Sequence, residues 1–172
     1  MTSILKVDEI QNTDGKTGIV ITPDGSLESV KFPEQSSPSG RVITSTTMSS
    51  FEEGTWTPTL HASGGGFVGT FTVHAANYTK IGSTVWVSSF INAQVTAIGS
   101  GHAEIRGLPF EVTGASVPFK THYGNLVLSN GGYFEANNKT MRFIQDHLTT
   151  PMPFAGIGSR AIMVSGHYRT DE

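Results

Sequence analysis

The run Thr84–Val95 constrains this chain more than any other stretch. Val85, Val87, Ile91, Ala93 and Val95 share one parity, and Trp86, Phe90 and Asn92 share the other. A period of two is the signature of a β-strand. A sheet that is wet on one side keeps its second face polar. Two large aromatics on that face therefore predict a strand covered on both sides. The expected cover is a second sheet plus a neighbouring subunit, and the alternative is a long loop of the same chain over Trp86 and Phe90.

The rest of the chain fits the same class. Further strand-like runs are expected at Thr55–Leu60, Phe67–His74, Asn77–Ile81, Ala103–Leu108, Gly124–Ser129, Tyr133–Ala136, Thr140–Asp146 and Arg160–Thr170. Gly, Asn and Pro punctuate them. No long segment repeats its apolar residues at the helical period, so no long helix is expected. With 20 Gly and 8 Pro among 172 residues, and only 15% charged residues, the composition is that of a turn-rich all-β protein.

The large apolar residues are unevenly placed. Residues 1–50 contain no Trp or Tyr, and their only Phe is Phe32. Residues 51–172 hold both Trp, all four Tyr and nine of the ten Phe, so the core must lie there. Residues 1–32 carry Asp14-Gly15 and Asp24-Gly25, two tight-turn signals that flank Gly18–Thr22. The part around these turns reads as short hairpin strands and residues 1–10 as one short helix or a strand, with a flexible tail as the alternative for the whole segment; Leu5, Val7, Ile10, Ile19 and Ile21 are the apolar contact positions. An isolated hairpin is marginal in water, so this segment needs a partner. Residues 33–50 are rich in Ser, Thr and Pro and read as a linker.

Several function classes find no support. The net charge of −3 comes without a basic cluster, which argues against a nucleic-acid partner. Cys is absent, so there is no disulfide framework and no thiolate chemistry. No apolar run approaches the ~20 residues of a membrane span, and the N-terminus lacks the pattern of a signal peptide, so cytosolic synthesis without membrane insertion is expected. The six His have no spacing of two or four, and no catalytic motif of a hydrolase or nucleotide-binding protein is present. Between residues 54 and 170 the only acids are Glu104, Glu111, Glu135 and Asp146. A glycosidase needs two carboxylates flanking the scissile bond, and nothing in the spacing pairs these four. No cofactor, metal or catalytic residue is expected.

At Phe51 the sequence becomes recognisable. Phe51–Pro58 reads F-E-E-G-T-W-T-P, Tyr78–Gly82 reads Y-T-K-I-G before the long apolar strand, Gly107–Phe110 reads G-L-P-F, and Ser165–Arg169 fits S-G-x-Y-R. These four elements, in this order over about 120 residues, resemble a head module of tailed-bacteriophage fibre proteins. Leu5–Asn12 is similar to the N-termini of fibre-like structural proteins of marine phages, including cyanophages. The resemblance implies a virion fibre, usually a homotrimer, with an N-terminal attachment part and a C-terminal antiparallel β-sandwich or jelly-roll head that meets the host surface. The division is then 1–32 for attachment and oligomerisation, 33–50 as linker and 51–172 as head.

On this reading the chain is a virion structural protein and not an enzyme. Its partners are its own copies, another virion protein docked by the N-terminal segment, and a host-surface glycan or protein. Trp86 and Phe90 are the candidate trimer contacts. Receptor contact is expected on loops: His61–Gly66, Ile98–His102, Thr113–Tyr123 and Ser129–Lys139. In the last of these, Asn130, Tyr133, Asn137 and Asn138 combine a stacking ring with amides, a chemistry suited to sugar. The competing readings are a capsid-decoration or head-fibre protein without a receptor and, less favoured, a polysaccharide depolymerase.

Overall fold

The structure, a computed structural model, describes residues 9–11, 17–21, 27–31, 47–125, 131–145, 150–151 and 153–172. Every described element is a strand, and the chain divides into two compact units, Met1–Phe51 and Glu52–Glu172.

In the first unit, β1 (Glu9–Gln11), β2 (Thr17–Ile21), β3 (Leu27–Lys31) and β4 (Thr47–Ser49) form an antiparallel meander in that order. Their register aligns Ile10 with Ile19, Ile19 with Val30, and Val30 with Met48. The row places apolar residue types side by side across all four strands. Ile21 also lies in β2, opposite Leu27, whereas Leu5 and Val7 lie outside the described residues. Thr47–Ser49, within the stretch read as linker, supplies the fourth strand.

Apart from Phe51, the first residue of β5, the second unit contains β5 (Phe51–Thr55), β6 (Thr59–Ala62), β7 (Phe67–Ile81), β8 (Thr84–Ile98), β9 (Ala103–Arg106), β10 (Val117–Gly124), β11 (Gly131–Phe134), β12 (Thr140–Gln145), β13 (Thr150–Pro151) and β14 (Gly158–Arg169). Nine of them follow one hydrogen-bonded path, β5-β7-β8-β14-β10-β11-β12-β9-β6, and β13 pairs with β12. The two ends of this path, β5 and β6, are consecutive in sequence. Only Trp56, Thr57 and Pro58 join them, and three residues reach little more than about 10 Å. The sheet therefore has to curl into an antiparallel half-barrel. The Trp56 N–H, which donates to the Ala76 carbonyl (3.1 Å), ties the start of this connection to β7.

The concave side is the core. Strand β8 contributes Val85, Val87, Ile91, Ala93 and Val95, all buried, as its alternation predicts. β14 adds Ile162, Val164 and Tyr168. Phe119 packs edge-on against Phe134 and Phe143, with centroids 5.6 and 5.2 Å apart.

The all-β expectation holds, with local corrections. Thr55–Leu60 is two strands, because Pro58 has no N–H to give a ladder and the chain turns there. The two runs expected in Phe67–Ile81 are one strand, and the register shift between Val73 and Ala75 absorbs one extra residue as a bulge at His74. The expected loop Thr113–Tyr123 is strand from Val117 onward, and the expected strand Gly124–Ser129 is described only through Asn125. Phe119 is buried and paired with Gly132, whereas Pro118, Lys120 and His122 disguise the alternation in the sequence.

Candidate functional site

The four elements of the fibre-like motif meet in space. Gly54 of the first lies against Tyr78 of the second: a Cβ at Gly54 would sit 2.7 Å from the Tyr78 ring, so a larger residue there would have to push the ring aside. The Tyr78 hydroxyl donates to the Glu52 carboxylate, and this bond, with the negative charge behind it, pushes the phenol above its ordinary range. Phe110 of the third element stands edge-on to Tyr78 at 5.5 Å, and the Lys80 ammonium lies over the Phe110 ring at 5.4 Å. Tyr168 of the fourth grips the Phe110 backbone through its hydroxyl. Burial is the main reason that this phenol is raised far above its usual value. Trp56 is buried and its indole N–H donates to the Ser88 carbonyl (3.2 Å). The motif thus builds and closes the half-barrel; its ring, glycine and backbone contacts are turned to packing.

A chemically distinct surface lies on the convex side of β7, β8 and β14. Register places outward-facing residues in rows across the three strands: Thr79, Trp86 and His167; Asn77, Ser88 and Ser165; Ala75, Phe90 and Met163; Thr72, Asn92 and Ala161; Thr70, Gln94 and Ser159. None of these fifteen positions is Asp, Glu, Lys or Arg. Trp86 is 45% exposed and Met163 is 36% exposed. His74, expelled by the bulge, stacks on Phe90 at 4.7 Å and bonds Asn92 (2.9 Å). Trp86 and His167 have ring centroids 6.4 Å apart. Around them lies a groove of about 370 Å³ lined by Asn77, Thr79, Trp86, Ser88, Ser165 and His167. A smaller hollow of about 240 Å³, bordered by Asn92 and Gln94, lies farther along β8.

A charged cluster occupies another part of the convex side. Glu104 on β9 is fully buried and accepts from Arg106 Nε (2.9 Å) and Nη2 (2.8 Å) and from Arg142 Nε (2.7 Å). Arg142 also pairs with Glu135 (2.6 Å). Burial opposes the Arg142 charge, but hydrogen bonds to Glu104 and Tyr133 and the nearby Glu135 outweigh it and hold the guanidinium above its ordinary value. His61 lies opposite Glu104 in register, and burial with the Arg106 charge lowers its pKa against the opposing pull of Glu104. Two of the four acids noted in the sequence are therefore brought together, through an arginine that spacing could not have identified. Both Glu104 oxygens are occupied by guanidinium donors, which makes the cluster an ion-pair network across β9 and β12. Among the described residues, no group of three His, Asp or Glu is arranged to hold a metal.

The expected receptor residues are placed variously. Tyr133 lies half-buried on β11 opposite Arg142. Asn137 takes a left-handed turn conformation (φ 56°). The Asn138 amide is spent on its own turn: Oδ1 accepts from Lys139 N–H (2.8 Å) and the Thr140 hydroxyl (3.1 Å), and Nδ2 donates to Glu135 (3.1 Å). Asn130 lies outside the described residues. The loops His61–Gly66 and Ile98–His102 are zipped together, with Gly64 N–H on Ser100 O (2.9 Å) and Ser100 N–H on Gly65 O (3.0 Å). Trp86 and Phe90 do share one face, as expected, but Asn77, Ser88 and Ser165 between them were not singled out from the sequence. Only the register of β7 and β14 on β8 could have shown that they form a row.

No family model matches this chain, and neither a curated protein nor a solved structure matches it.

Proposed function

We propose that this chain is a fibre-like structural protein of a tailed-bacteriophage particle, held on the virion by its N-terminal unit and presenting its C-terminal head to the host surface. The observation that carries this reading is the convex face of β7, β8 and β14. A long strand face that keeps exposed aromatic and amide side chains and carries no Asp, Glu, Lys or Arg over five consecutive rows is built for contact. The convergence of Glu52, Gly54, Tyr78, Phe110 and Tyr168 adds support, because the four motif elements behave as one structural unit. The boundary between the two compact units falls at the start of the same motif.

In this reading the head acts by binding and performs no catalysis. The curled sheet serves as the sandwich-like head of a homotrimer, and the apolar row Ala75, Phe90 and Met163 is the part of the convex face suited to contact between copies, with Trp86 at its margin. The N-terminal meander docks another virion protein. The test is to image particles carrying a gold-labelled copy of the full chain. Label at the tail supports host recognition. Label over the capsid would move the protein to a decoration role, and particles without label would remove it from the virion.

A further inference from the structure

We infer that the groove beside Trp86 is a binding site for an uncharged oligosaccharide. This deepens the host-surface reading by naming its ligand class. The indole of Trp86 offers an exposed apolar ring face, the standard platform for the C–H face of a pyranose. Around it the groove presents the neutral hydrogen-bonding side chains of Asn77, Thr79, Ser88 and Ser165 and the imidazole of His167, with Tyr78, Val87 and Gly166 completing an uncharged lining. Asn77, Thr79 and Ser88 have no side-chain hydrogen bond among the described residues, so their donors and acceptors remain open to sugar hydroxyls. Ser165 shares its hydroxyl with His122, which fixes the rim of the groove on the β10 side.

Size and charge narrow the ligand. About 370 Å³ lies at the small end of ligand sites, which suits a short stretch of sugar chain rather than a folded partner. The groove has no Asp, Glu, Lys or Arg in its lining, so it offers no counter-charge to a sulfated or uronate-containing sugar. Arg169 and Lys120 are the nearest charged positions in register, one row beyond Trp86 and one strand beyond Ser165, and the Arg169 guanidinium is directed to the Ser83 hydroxyl (3.3 Å). Trp86 thereby becomes a ligand contact, and Phe90, four residues and about 13 Å along β8, remains for contact between copies.

The experiment applies the full chain to an array of neutral hexose and N-acetylhexosamine oligosaccharides beside sulfated and uronate-containing ones. Tryptophan emission and sedimentation are followed in parallel. Retention on neutral sugars with quenched emission is expected. Trp86→Ala should weaken retention by about tenfold or more, the loss of roughly one ring contact. Asn77→Ala should weaken it several-fold, and Trp86→Phe should keep most of it, all with unchanged sedimentation. The inference is overturned if the wild-type chain ignores neutral sugars, prefers the charged ones, or binds equally well as Trp86→Ala. It is also overturned if Trp86→Ala dissociates the assembly while Asn77→Ala binds as wild type. A silent array with the protein still imaged on the tail rejects the groove and leaves the fibre reading standing.

Discussion

Tyr168 holds Phe110 by both of its backbone groups. The phenol oxygen accepts from the Phe110 N–H (3.3 Å) and donates to the Phe110 carbonyl (3.1 Å), across 58 residues of sequence. The last long strand thereby pins the 107–113 connection, whose Leu108 and Val112 are buried in the core. Tyr168→Phe keeps the ring and removes both bonds. It should lower head stability by about 1–3 kcal/mol, two ordinary hydrogen bonds with a partly buried N–H left unpaired. Urea unfolding of the variant checks this. An unchanged midpoint would show that water replaces the hydroxyl without loss.

Glu104 carries three guanidinium hydrogen bonds while fully buried, whereas the Arg106 side chain is 45% exposed. The two partners should therefore respond unequally. Glu104→Gln strands two arginines beside a neutral amide and should lose about 2–3 kcal/mol, below the usual loss for a fully buried pair because both arginines reach some water. Arg106→Ala leaves Glu104 paired with Arg142 and should lose about 1 kcal/mol or less. Thermal unfolding of both variants measures the difference, and equal losses would refute this division.

The same residues show what the sequence made legible. The alternation of β8 was readable because five of its inward positions, Val85, Val87, Ile91, Ala93 and Val95, are aliphatic and buried, and the sixth, Ser89, is too small to mask the pattern. β10 was hidden because Pro118, Lys120 and His122 mask the one large core residue, Phe119. The Glu104 network was hidden for another reason. Arg106 is two residues away and within sequence reach, but Arg142 arrives only through the pairing of β12 with β9. The charge-free groove is of this second kind, since three strands must be set in register before Asn77, Ser88 and Ser165 become neighbours. Local period is written in one strand, whereas a site across strands is written in pairings that the strand itself does not encode.

His61 gives the head a pH dependence of known sign. Its imidazole is harder to protonate in the folded chain than in the unfolded one, first through burial and then through Arg106. The unfolded state therefore binds more protons once the pH drops through the ordinary histidine value of about 6.5. The stability attached to neutral His61 is present above that value. It is lost progressively as the pH falls from there toward the lowered folded value. His61→Gln should flatten this part of the stability curve between pH 7.5 and 5. A wild-type slope retained in the variant would assign it to other groups.

Trp56 and Trp86 are the only two tryptophans, and the sheet places them in opposite environments. Trp56 is 7% exposed and hydrogen-bonded to Ser88. Its replacement by Ala opens a cavity at the junction of β5 and β6 and should remove about 3–5 kcal/mol. Trp86 lies on the convex face with nearly half of its surface in solvent, so Trp86→Ala should remove only about 1–2 kcal/mol, the part of the ring that is covered. Urea unfolding at two protein concentrations separates the outcomes. If Trp86 serves a ligand, its small loss is the same at both concentrations. A loss as large as that of Trp56→Ala, growing as the protein is diluted, would instead place the ring between copies of the head.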